Sequence, residues 1–99
     1  MKNKKNKLPF ILELFERLRE DDLIMEKMFY EGRWRMFHNY MENSINSLEI
    51  IRNRVLDGFE YSDRKEVINT LRDVAETAWQ GDNYHFYDRL VRTANCIEH

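Results

Sequence analysis

The stretch from Gly32 to Gly58 contains no proline, and its apolar side chains recur at a helical interval. Trp34, Met41, Leu48 and Val55 follow one another at heptad spacing, with Phe37 and Ile51 at fourth-residue positions between them. That spacing lays all six along one stripe of a helix. Ile45, Ile50 and Leu56 widen the stripe. The pattern predicts a long amphipathic helix around which the rest of the chain is organised. A helix of about 25 residues is about 37 Å long, whereas a compact domain of this size is roughly 30–35 Å across. The helix therefore crosses the domain or overhangs it, and an overhanging apolar stripe stays exposed unless another chain covers it.

The flanks also read as helices. Residues 1–7 form a basic, flexible tail and residues 8–99 a single helical domain. Pro9 suits the first position of a helix, and Ile11, Leu14, Phe15 and Leu18 give that helix a buried face. Asp21-Asp22 reads as a stop and a fresh N-cap, followed by a segment with Ile24, Met28 and either Leu23 or Met25 turned inward. Gly32 admits two readings, a kink within one helix from Asp22 to Leu56 or the end of a short helix. The lack of another turn residue beside it favours the kink. Gly58 stands where a terminating glycine belongs. Asp63 with Glu66 has capping-box spacing, Ser62 being the alternative cap. Val67, Ile68, Leu71, Val74, Ala75, Ala78 and Trp79 then mark a third helix, which Gly81 ends. Asp82 is placed to cap a fourth, which carries Tyr84, Tyr87, Leu90, Val91, Ala94 and Ile97. No stretch alternates apolar with polar as a strand would, and no long-period repeat is visible. The expected fold is all-α: a small helical bundle of four to five helices built around one long central amphipathic helix.

Charge is divided along the chain. Lys2, Lys4, Lys5 and Lys7 leave 12 of the 16 basic side chains to face 18 acidic ones in the rest of the molecule. An acidic body is a poor general ligand for nucleic-acid phosphates. Cys96 is the single cysteine, which excludes an intrachain disulfide and points to a reducing, cytoplasmic setting. The apolar run after the lysines meets Glu13 too soon for a signal peptide, and no run is long enough to span a membrane.

Catalytic signatures are missing. Three glycines, each at a helix junction, leave no phosphate-cradling loop, and no nucleophile elbow surrounds Ser44, Ser47 or Ser62. His38 with Glu42, Asp82 with His85, and Cys96 with His99 share helix faces, but two ligands do not make a metal site. Cys96 reads as a small, half-buried apolar residue. Neither an enzyme nor a cofactor is expected.

The functional signal lies in the aromatics. Phe29, Tyr30, Trp34, Phe37 and Tyr40 crowd together, interleaved with Arg33 and Arg35. Their helical directions exceed one face, and Tyr, Trp and Arg are the residues that dominate interface hot spots. The leading expectation is a non-enzymatic protein-interaction module. It would be a regulator or inhibitor of the kind phages carry, binding a protein partner, self-associating as a dimer, or both. The alternative is a nucleic-acid-binding transcriptional regulator, with the third and fourth helices as a helix-turn-helix-like unit. Asn83, Tyr84, His85, Arg89 and Arg92 would then read the groove while Lys2, Lys4, Lys5 and Lys7 grip phosphate. A third reading, peripheral attachment of the tail to a membrane, is the weakest, because a single basic cluster binds poorly.

Overall fold

The computed structural model describes residues 2–99, with side chains from Leu8 onward. The lysine side chains of the expected basic tail, and so that expectation, lie outside the described residues. Four helices follow in order: α1 (Lys2–Tyr30), α2 (Trp34–Gly58), α3 (Tyr61–Gln80) and α4 (Tyr84–Glu98). The chain is 90% helical, and no strand occurs among the described residues. α1 and α2 form one hairpin and α3 and α4 a second. The hairpins stack with α1 against α3 and α2 against α4.

Both hairpins turn the same way. In the first, the Arg33 N–H bonds the Met28 carbonyl at 2.9 Å and the Gly32 N–H bonds that of Phe29 at 3.1 Å. In the second, Asn83 bonds Ala78 at 2.8 Å and Asp82 bonds Trp79 at 3.1 Å. Each is a Schellman closure, which requires a left-handed residue just past the helix. Gly32 takes that role with φ 72°, and Asp82 takes it with φ 62°.

Several expectations at helix ends are corrected here. Gly32 ends a helix instead of kinking one, because its left-handed conformation cannot continue a right-handed helix. Asp21-Asp22 does not stop α1, since the Asp22 side chain is spent on a contact with another element. Pro9 lies inside α1 and not at its first position. Gly58 belongs to the last turn of α2, and Phe59, extended and buried, follows it. α3 starts at Tyr61, ahead of the proposed Ser62 or Asp63 cap, and no side chain caps it. Asp82 does not cap α4, because it occupies the left-handed position while Asn83 holds the N-cap place.

The core is one cluster. It joins Ile11, Leu14, Phe15, Leu18 and Met25 of α1 to Met41, Leu48, Ile51 and Val55 of α2, with the inner faces of α3 and α4 opposite. The heptad positions of α2 are therefore buried from Met41 onward. Trp34 is 52% exposed, and Ile50 and Leu56 also face outward. Phe86, absent from the expected stripe of α4, is fully buried one turn before Leu90.

Lengths explain where the stripe loses its cover. α1 and α2 are about 43 and 37 Å long, α3 and α4 about 30 and 22 Å, at 1.5 Å per residue. The molecule measures 47 × 20 × 15 Å, so the first hairpin outreaches the second. α2 is thus neither the longest element nor a lone spine.

Leu71, fully buried, and Leu23, 62% exposed, provide the stability contrast. Leu71→Ala is expected to cost about 2–5 kcal/mol in denaturant melts, and Leu23→Ala less than about 0.5 kcal/mol. Equal losses would place the core elsewhere.

Candidate functional site

The second turn docks on the side of α1 one to two helical turns short of the tip of the first hairpin. Asp22, only 1% exposed, accepts a hydrogen bond at Oδ1 from Asn83 Nδ2 at 3.0 Å. Asn83 is buried too, and Met25 Sδ lies 3.9 Å from the same amide nitrogen. One turn further along α1, Glu26 lies across Gly81, and a Cβ there would overlap its carboxyl group. That carboxyl is the mobile end of a long side chain and would have to swing aside for a larger residue at position 81. The left-handed conformation falls instead on Asp82, since aspartate tolerates it better than most residues.

Three carboxyl groups meet at this joint. Burial, the hydrogen-bonded Asp22 and the charge of Asp82 push the Glu26 pKa up to about 7. Burial also raises that of Asp22, against the lowering effect of its bond from Asn83. Asp22 Oδ2 receives no bond from any N–H or hydroxyl. Glu26 is within hydrogen-bonding reach of Asp22, and in its protonated form it can donate to that carboxylate. Among the described residues no three His, Cys, Asp or Glu side chains are arranged to hold a metal ion.

Above the joint, the overhang of the first hairpin makes a cleft of about 470 Å³. Phe29 and Tyr30 of α1 and Phe37 of α2 form one wall, while Gly81 through His85 form the other. Tyr84 donates its hydroxyl to Asp82 Oδ1 at 2.8 Å, and that bond raises the Tyr84 pKa.

The aromatics expected at an interface are brought together in part. The Phe29 ring meets Trp34 edge-on at 5.1 Å between centroids, and it also contacts Tyr30 at 6.2 Å and Phe37 at 6.0 Å. Phe29, Tyr30 and Trp34 are half or more exposed, Tyr30 at 75%. Phe37 and Tyr40 lean on the core instead. Arg33 is exposed and paired with Glu31 at 3.1 Å, and Arg35 is exposed.

The residues of the nucleic-acid alternative are dispersed. Asn83 is buried against Asp22, and Tyr84 and His85 line the cleft. Arg92 pairs with Asp88 at 3.0 Å. Arg89 and Arg92 both border a separate groove between α2 and α4, along with Arg52. Cys96 is exposed, not half-buried, as α4 turns that side to solvent.

Sequence reasoning read Asp22 as a cap and passed over Glu26 altogether. A signal existed: two acidic residues one turn apart, running alongside the buried line from Leu18 to Met25.

The raised Glu26 pKa sets a pH dependence. The unfolded chain releases the Glu26 proton near pH 4.5 and the folded chain near pH 7. Between those values the folded state binds more protons, so this group's contribution to stability falls as pH rises. Glu26→Gln is expected to gain in melting temperature relative to wild type between pH 5 and pH 8. A constant difference across that range would place the proton elsewhere. Compared with known proteins, the chain matches no family model, no curated protein and no solved structure.

Proposed function

We propose that the protein acts by binding another protein chain through the tip of its first hairpin, as a regulator or inhibitor that occupies a surface and does no chemistry. The observation that carries this reading is the exposed Phe29, Tyr30 and Trp34 cluster on an overhang that the second hairpin does not reach. Exposed rings stacked edge to face leave apolar area for a partner to cover, and a pre-ordered aromatic cluster loses little entropy on binding. Arg33 and Arg35 beside them supply polar contacts of the kind found at hot spots. A second copy of this chain is the first partner to test, as the tip is apolar and could pair with itself as a dimer.

Trp34→Ala combined with Arg33→Ala is expected to weaken association by 2 kcal/mol or more, roughly a thirtyfold rise in Kd. Folding stability should change by less, because Trp34 is half exposed. Sedimentation equilibrium and affinity capture with nuclease treatment, run beside a thermal melt, read both quantities. A double variant that stays folded and keeps its mass and every captured protein would refute the proposal. Recovery that disappears with nuclease, and with Arg89→Ala and Arg92→Ala, would favour nucleic acid instead.

A further inference from the structure

The cleft between the two turns joins features that each suit a different part of one ligand class. Its walls are aromatic: Phe29, Tyr30 and Phe37 on one side, Tyr84 on the other. Its charged lining is acidic, with Glu26 at the joint and Asp82 on the turn, and neither Lys nor Arg is among the described residues that line it. At about 470 Å³ it falls within the size range of small-molecule sites. Aromatic faces attract cations through their quadrupole, and more so when the cation is desolvated. The Glu26 carboxyl is crowded by Asp22 and Asp82, and no salt bridge to it is formed among the described residues.

We propose that this cleft binds a small organic ammonium ion with an apolar body, such as an arylalkylamine. The rings hold the body, and Glu26 and Asp82 hold the charge. An anion would meet carboxylates, and a neutral apolar molecule would leave Glu26 and Asp22 competing over one proton. A cation removes that competition by letting both carboxyl groups ionise. Binding therefore releases the Glu26 proton to solvent, and affinity rises with pH until Glu26 is ionised in the free protein. Asp22 of α1 and Asp82 of the turn act on Glu26 directly, and Tyr30 of α1 with Tyr84 and His85 of α4 are the other titratable groups lining the cleft. α2 contributes Phe37 to the lining and no titratable side chain. His85 also lines the cleft, so a His85→Asn control separates its effect from that of Glu26. The proposal goes beyond the protein-binding reading and leaves Trp34 and Arg33 untouched, so either can fail alone.

The test is an NMR titration of the intact protein with phenethylammonium, 2-phenylethanol and phenylacetate, three probes of one shape and different charge. Phenethylammonium is expected to shift the amide signals of Glu26, Phe29 and Gly81 to His85, with a Kd about tenfold lower than that of the alcohol. Phenylacetate should leave those signals unmoved. Affinity for the ammonium probe should rise between pH 6 and pH 8 in wild type and in His85→Asn. In Glu26→Gln it should fall about tenfold and lose that rise. Tyr84→Ala, at an exposed position that puts little demand on folding, should also weaken it. The proposal is overturned if no probe shifts the cleft signals or if the alcohol binds as well as the ammonium ion. It is also overturned if Glu26→Gln and Tyr84→Ala both bind with wild-type affinity.

Discussion

The hydrogen bond from Asn83 to Asp22 ties the second hairpin to the first at a fixed height. Apolar stripes alone set which faces meet, but a stripe of Leu, Ile and Val allows packed helices to slide by a turn at modest cost. A buried carboxylate and a buried amide allow no such freedom, because displacement strands both without partners at about 1–3 kcal/mol each. Glu26 lies across Gly81 at the same height and adds a contact between the turn and α1. Asp82 then bears the left-handed conformation that a glycine would ordinarily take.

From that register the surface features follow. Docking the second turn at Asp22 and Glu26 leaves the outer side of the last turn of α1 and of the first of α2 uncovered. The overhang exposes Phe29, Tyr30 and Trp34, and the recess beneath it is the cleft. The aromatic tip and the acidic, ring-lined recess are thus two consequences of one stagger between hairpins of unequal length. The raised Glu26 pKa belongs to the same geometry, since it arises where the turn presses a carboxylate against Asp22 and Asp82.

The sequence was legible where one periodic face met one partner. The buried positions of α1 from Ile11 to Leu18, those of α3 from Val67 to Ala78, and Leu90, Ala94 and Ile97 of α4 could all be read from spacing. Reading failed at boundaries, where the outcome depended on contacts between distant residues. Asp22 resembles a cap until Asn83 is brought beside it, whereas Gly81 does end α3, at its C-cap. Trp34 and Trp79 continue their apolar stripes in phase, yet both are half exposed, because periodicity does not reveal where the facing helix ends. The aromatic cluster was visible as composition, but the cleft was not, since its two walls come from turns far apart in the chain.

The claim that one buried polar contact fixes the stagger is tested most directly by a double-mutant cycle of Asp22→Ala and Asn83→Ala, measured by denaturant melts at neutral pH. A fixed register predicts a coupling energy of about 1–3 kcal/mol, with the double variant little worse than either single one. Additive losses, with coupling within about 0.3 kcal/mol of zero, would mean that apolar packing alone sets the register.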